Sequence, residues 1–480
     1  MLEFAIVGAG FSGIAMARAL SALEHQRWMV FEKAAEVGGT WRENHYPGAA
    51  CDVPSHLYSL AGAANPHWSR LYPRQAEIQQ HLIEIAAPLK EADRIRFNHR
   101  LLMAEWQAAR QCWRLCFEGR EPVQARTLVL GLGGLHIPSI PEIKGAERFT
   151  GPNFHSACWR HEVELRGKKV AVIGTGASAV QFVPELARRA AQLTVFQRTP
   201  AWVIPRNDFA LPRQLQQTFA RAPWLRKSFR GAIFTQLELL SSALLHRRTG
   251  IWGRALARWH LRRQVKSPQL RTMLTPDYPI GCKRVLVSDD YYPALQQPNV
   301  ALCTTPIAQI ESDAIRLIDG SVVSADVLVY GTGFKPLDLL SEIQIRGRDG
   351  IRLDQAWRTR PQAHLGVSPH GFPNLHLLLG PNTALGHNSV LYMIESQVEH
   401  ILRLHQLRLA RRAVTVEATE RAQRAYLQRV DRQFAASAWN GGCRSWYLDD
   451  QGQNIALWTG TCLAYRRLLR RLNSEDYCFA

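Results

Sequence analysis

Short apolar runs that end on glycine turns and lead into a 3.6-residue period organise this chain of 480 residues. Phe4 to Val7 is continuously apolar, Gly8-Ala9-Gly10-Phe11-Ser12-Gly13 follows, and Ile14 to Leu23 has a helical pattern. The same succession recurs at Val170 to Ile173, Gly174-Thr175-Gly176-Ala177-Ser178-Ala179, and Val180 to Ala191. An unbroken apolar run suits a parallel strand covered on both faces, so the two successions predict two βαβ units. Ala125 to Gly134, Leu193 to Gln197, Val300 to Thr304 and Ala325 to Tyr330 read as further strands. The last ends in a second tight turn, Gly331-Thr332-Gly333-Phe334, while Pro138 and Pro141 mark a linker. Helical periodicity fills about 209–274 and returns at Val390 to His405. The expected fold is α/β with two Rossmann-like domains. Residues 1–145 form the first part of one, 146–166 the linker, 167–330 the second with its helical insertion, and 331–480 the completion of the first.

The glycine triplets carry chemistry. Between a strand and a helix they let the backbone approach a pyrophosphate, and the helix N-terminus supplies amide donors. Gly8, Gly10 and Gly13 make one complete set; Gly174 and Gly176 make the other, with Ser178 beside Ala179, the small residue that stands for the third glycine. The next strand after the first triplet ends at Glu32 (32 − 8 = 24), and Arg198 stands at the same offset from the second (198 − 174 = 24). An acid there accepts hydrogen bonds from a ribose diol, whereas an arginine accommodates a 2′-phosphate. Two different dinucleotides are therefore expected, one of them NADPH, with hydride passing between them.

Composition narrows the class. Hydrophobic content of 46% with 21% charged residues describes a globular protein of two or three domains. The first strand starts near Met1, leaving no room for a signal peptide, and a cytoplasmic location is expected. The longest bilayer candidate, Gly231 to Leu245, is short and contains Glu238. Nine cysteines show no pairing logic, Cys112 and Cys116 being the closest, so free thiols are expected and no metal site. The net charge of +19 favours anionic partners, yet no nucleic-acid motif is present. Much of the excess lies between Arg206 and Arg271, with Trp and Leu at helical spacing opposite Arg. A membrane-surface helix has this pattern. So does a helix whose apolar stripe packs inward, which is the preferred reading; peripheral membrane contact stays open.

One stretch carries a family resemblance. Phe149-Thr-Gly151-Pro-Asn-Phe-His155-Ser-Ala-Cys-Trp159 fits F-x-G-x-x-x-H-x-x-x-W, between the two nucleotide motifs. It resembles the signature of type I Baeyer–Villiger monooxygenases, within the flavin-containing monooxygenases. Gly38-Gly39-Thr40-Trp41, Tyr46 to Asp52 and Tyr278-Pro-Ile-Gly-Cys-Lys283-Arg284 agree with it; Arg160 and Gly331 depart where Pro and Ala are usual. The resemblance implies FAD at the first site and NADPH at the second. It implies oxygen insertion beside a carbonyl through a peroxyflavin, with sulfides also oxidised, on a small lipophilic ketone or sulfide and O2. By resemblance Arg284 is the cation that stabilises negative charge on oxygen, and Asp52 its partner. Gly39, Thr40, Trp41 and Asp52 belong with the flavin, and Lys283, Arg198 and Thr199 grip the 2′-phosphate. His155 couples domain movement to cofactor state, Gly151 makes a turn of unusual backbone angles, and Phe149 and Trp159 complete the fingerprint. A sulfur- or nitrogen-oxidising flavin monooxygenase and a non-turnover redox sensor are the alternatives. Pocket residues are expected from the insertion and from Thr383 to Ser389, where Asn388 and Ser389 more often cap the following helix. Gly441 to Tyr447 resembles a C-terminal family element.

Overall fold

A computed structural model describes residues 1–23, 27–245, 250–335, 338–437, 439–443, 445–449 and 451–480, with backbone alone at 241–245 and 339. In chain order β1 (Leu2–Val7), β2 (Trp28–Phe31), β3 (Ile95–Arg96), β4 (Leu101–Gln107), β5 (Cys112–Phe117) and β6 (Val123–Leu130) open the first sheet. Then come β7 (Asn153–His155), β8 (Lys169–Ile173), β9 (Gln192–Phe196), β10 (Val203–Ile204), β11 (Leu286–Val287) and β12 (Val300–Cys303). The strands β13 (Ile307–Ile310), β14 (Ala314–Leu317) and β15 (Val322–Ser324) form an antiparallel appendage before β16 (Val327–Tyr330). Finally β17 (Gln344–Arg346) and β18 (Leu375–Leu377) return to the first sheet. Its order is β17-β4-β5-β6-β1-β2-β3, with β18 also on β6; the second sheet runs β12-β9-β8-β16-β7. The segment read as a linker thus supplies the edge strand β7, paired in parallel with β16.

The unbroken apolar runs have a direct cause. Along β1, Phe4 and Ile6 enter one core while Ala5 and Val7 enter the core on the opposite face. Along β8, Val170 and Val172 split from Ala171 and Ile173 in the same way. Side chains alternate across a strand, so covering both faces requires apolar residues at every position. Complete burial of Phe4 and Ile6 contributes roughly 1.5–3 kcal/mol each.

Helix α1 (Phe11–Ser21) starts directly after Gly10, earlier than the apolar periodicity indicates. It is followed by α2 (Thr40–Glu43), α3 (Gln75–Glu91) and α4 (Ala177–Ala187). Gly8 and Gly174 have left-handed φ of +101° and +111°, and a Cβ on either would lie 2.5 and 2.3 Å from the carbonyl oxygens of Gly131 and Gly331. The glycine turns ending β6 and β16 are thus the floors against which the two fingerprint turns sit.

The insertion is α5 (Arg213–Arg221), α6 (Pro223–Leu245), α7 (Gly250–Gln264) and α8 (Pro268–Met273). Part of its apolar surface packs inward as expected, through Phe219, Ile233 and Leu261, but the tryptophans do not. The buried face of α7 is Gly250, Gly253, Ala257, His260 and Leu261, while Trp252 and Trp259 are exposed, as is Trp224 of α6. The small residues bring α7 close to the body, and His260 Nε2 lies 2.9 Å from the Ser288 carbonyl, which leaves the large apolar side chains on the far side.

Candidate active site

A cavity of ≈ 1680 Å³ is walled by both fingerprints and by the segments joining the two sheets. Gly8, Gly10, Glu32, Gly39, Thr40, Trp41 and Asp52 line one part, and Gly174, Gly176, Ser178, Arg198, Thr199, Lys283 and Arg284 another. Gly13 does not line it. Its hydrogen occupies a space where a Cβ would fall 1.8 Å from the Gly8 oxygen, so it closes the turn.

The first part suits a dinucleotide with a ribose at Glu32. That carboxylate is buried and accepts from the amides of Ala9 (2.7 Å) and Ala34 (3.0 Å), with the Arg42 guanidinium at 3.3 Å. It is therefore fixed in place before any ligand arrives. No side chain caps the N-terminus of α1 or of α4, leaving first-turn amides for a phosphate. The Trp41 indole donates to Tyr58 Oη (3.0 Å), which orients the wall after Gly39.

The second part is suited to an anion by its electrostatics. Arg198 is exposed at the end of β9, and Lys283 is half-buried with Nζ 4.9 Å from the Tyr278 ring centre. Neither has a salt-bridge partner among the described residues. Burial, and then the charge of Arg198, hold the Lys283 ammonium below its usual range. Asp277 only partly offsets this, and two cations that repel each other with no carboxylate in salt-bridge contact are suited to a phosphate dianion. Thr175 Oγ1 donates to the Thr199 carbonyl (3.2 Å), joining the glycine turn to the Arg198 loop.

Arg284 and Asp52 meet although 232 positions separate them in sequence. Arg284 Nη2 donates to Asp52 Oδ2 at 3.0 Å, with 34% of the arginine side chain and 17% of the aspartate exposed. Burial pulls the guanidinium down, but Asp52 and then Tyr447 outweigh it, so the group is held above its usual range and charged at any working pH. Asp52 Oδ1 also accepts from Gln181 Nε2 (3.3 Å), which donates to the Ala50 carbonyl (3.0 Å) as well. Gln181 Oε1 accepts from Tyr46 Oη (3.0 Å) and the Ala50 amide (3.2 Å). This side chain of α4 thus binds the Tyr46–Asp52 segment to the second fingerprint helix. Arg206 donates to the Cys51 carbonyl (3.0 Å) and stacks on Tyr72. Sequence reasoning missed both Gln181 and Arg206; the one available signal was the place of Gln181 in the first turns after the second fingerprint.

The cysteines are not all free thiols, contrary to expectation. Cys282 and Cys443 form a disulfide, and the other seven are free. Their separation of 161 residues conceals the pairing in sequence. The bond ties the loop of Lys283 and Arg284 to the C-terminal element. There Tyr447 is buried, and Trp439 and Trp446 line the cavity; Arg444 of that element lies outside the described residues.

The fingerprint residues sit behind the cavity. His155 is buried, its ring edge-on to Phe334 at 5.6 Å, next to the Gly331–Phe334 turn that lines the cavity. Burial lowers its pKa to about 4, so it is neutral at pH 7. Gly151 is not in the left-handed region, which corrects the expectation of unusual angles. A Cβ there would lie 2.3 Å from the Asp326 oxygen, so space, not conformation, demands glycine. Phe149 is buried in the core beneath β16, and Trp159 packs edge-on to Phe154 at 5.2 Å.

His387 and Asn388 line the cavity. Asn388 does not act as a helix cap: its amide donates to Glu238 (2.8 Å), which also accepts from the amides of Cys462 (3.2 Å) and Leu463 (3.3 Å). Glu238, His387 and Cys462 bring potential ligand atoms within 4.8 Å of one another. Three N–H donors and a helix N-terminus already converge on the carboxylate, and they compensate an anion rather than attract a cation.

Comparison with known proteins now defines the class. Residues 6–74 match the NAD(P)-binding Rossmann-like domain and residues 123–238 the flavin-binding monooxygenase-like family. A Baeyer–Villiger monooxygenase of Pseudomonas aeruginosa is 40% identical over 99% of this chain and 91% of its own. One from Streptomyces coelicolor is 38% identical over 99% and 92%. An OTEMO structure in complex with FAD and NADP superposes with a TM-score of 0.89 at 27% identity, covering 100% of this chain and 99% of its own. A steroid monooxygenase bound to NADP gives 0.88 at 29% identity, with the same coverage. The chain belongs to the Baeyer–Villiger monooxygenases, and as a member it is an NADPH-dependent flavin monooxygenase.

Proposed function

We propose that this protein inserts one oxygen atom of O2 beside the carbonyl of a small lipophilic ketone, giving an ester or lactone, with Arg284 as the residue that makes the step possible. The observation that carries the reading is the Arg284–Asp52 pair on the cavity wall between the two fingerprints. When bound, NADPH supplies the hydride and FAD the activated form of dioxygen.

The chain's own residues do the rest. Arg198, Lys283 and Thr199 hold the 2′-phosphate, and Glu32 holds the ribose of FAD. Arg284 presents a permanent positive charge where negative charge develops on oxygen, and Asp52 aims it. A donor preorganised in this way is worth roughly 3–4 kcal/mol of barrier. Asp52 accepts from both Arg284 and Gln181, which limits the rotation of the guanidinium. Trp439 and Trp446 help to keep bulk water from the cavity. A cation beside the oxygen favours attack on a carbonyl carbon. Oxidation of sulfur or nitrogen needs no such charge, so sulfides are expected as secondary substrates.

The test is product analysis with the flavin-loaded protein, NADPH, O2 and a panel of ketones and thioethers. Ester or lactone matching the NADPH consumed supports the reading. Sulfoxide or N-oxide alone favours the alternative chemistry, and no NADPH oxidation with any compound would leave only a non-turnover role.

A further inference from the structure

The outer face of the insertion is apolar, basic and uncovered. Trp252 is 77% exposed and Trp224 69%, with Leu239, Ile251 and Trp259 also exposed. On α7, Trp252, Leu256 and Trp259 stand at i, i+4 and i+7 and share one stripe. Arg258 and Arg262 flank it, and the Arg263 guanidinium lies 5.2 Å from the centre of the Trp259 ring. From Arg213 to Met273 the sequence holds thirteen Lys or Arg and a single acid, Glu238. That acid is engaged by Asn388 and by the amides of Cys462 and Leu463. Leu240 and Leu256 are exposed and also line the cavity, so the apolar face is continuous with the cavity rim.

We propose that the α6–α7 face docks on an anionic lipid surface, with the cavity rim against the bilayer, so that apolar substrates enter from the membrane. Tryptophan and leucine on one stripe with arginine at its borders is the composition of an interfacial helix. Contiguous exposed apolar surface of this kind marks an interaction site. A second copy of the chain is a poor occupant, because it would bring two arginine-rich faces together in a molecule of charge +19. No helix of the described residues is long and apolar enough to cross a membrane, so the contact is peripheral. The proposal concerns attachment, and it stands or falls apart from the reaction catalysed.

The experiment is flotation of the full-length, flavin-loaded protein with vesicles of phosphatidylcholine alone and of equal parts phosphatidylcholine and phosphatidylglycerol, with tryptophan emission recorded in parallel. Binding to the anionic vesicles only, weakened by salt and accompanied by a blue shift, is expected. Each arginine near such a surface is worth about fivefold, so R258E/R262E should reduce partitioning about 25-fold or more. W252S/W259S should reduce the blue shift to what Trp224 alone contributes. Neither variant touches the cavity wall, so both should keep flavin absorbance and NADPH oxidation with a water-soluble ketone. The proposal is overturned by absence of binding at low salt or by undiminished binding of R258E/R262E. It is equally overturned if sedimentation shows a dimer that W252S/W259S dissociates.

Discussion

Removing one of the two unpaired cations, by Arg198→Ala, should convert coenzyme preference into a measurable difference. Arg198 stands exposed at the end of β9, and its charge contributes to holding the half-buried Lys283 below its usual pKa. A 2′-phosphate is the group that relieves this repulsion. A hydrogen bond to a charged group contributes about 1.5–3 kcal/mol, so kcat/KM for NADPH should fall roughly 10- to 150-fold. NADH has no phosphate at that position and should change by less than about twofold. The assay is steady-state coenzyme oxidation with saturating ketone, for both coenzymes and at several salt concentrations, since the arginine's contribution is screened by salt. The sign of the pH effect follows from Lys283. It binds phosphate as the ammonium, and its pKa is lowered in the free protein. NADPH affinity should therefore decline as pH rises through that lowered pKa, while NADH affinity stays flat in the same range. An equal loss for both coenzymes, or no loss for NADPH, would refute the assignment of this pair to the 2′-phosphate.

Two further outcomes are expected. Gly151→Ala would place a Cβ 2.3 Å from the Asp326 oxygen, on a backbone pinned by hydrogen bonds between Asp326 and Lys169; overpacking of this kind costs about 1–3 kcal/mol, to be read from the urea midpoint. Alkylation of the denatured, unreduced protein should modify seven of the nine cysteines, with all nine after reduction. The closed loop of 161 residues implies that the bond contributes up to about 5 kcal/mol, so Cys282→Ser should melt well below the parent; unchanged melting and nine alkylated thiols would show the bond absent in solution.

The parts of the site that were legible in the sequence are those written in local chemistry. Glycine triplets between an apolar run and a helix have few other uses, and the offset to Glu32 or Arg198 is set by the length of one βαβ unit. The contact of Arg284 with Asp52 was expected only through resemblance, because residues 232 positions apart leave no trace of proximity in spacing. Gln181 was invisible for a related reason: a glutamine on a helix is ordinarily a solvated residue, and its role depends on the other domain lying against it. The exposed tryptophans of α7 were misread because helical periodicity reports two faces without saying which one meets the protein. Glycine, alanine and histidine at 250, 253, 257 and 260 took the inner face through close approach rather than hydrophobicity.

The most direct measurement on the central claim is the ratio of ester formed to NADPH oxidised by Arg284→Ala, with flavin occupancy checked by absorbance. If the guanidinium stabilises charge on the reacting oxygen, coenzyme oxidation persists while ester production drops about 10²- to 10³-fold. Ester yield per NADPH within a few-fold of the parent would contradict the claim, however well the pair with Asp52 is formed.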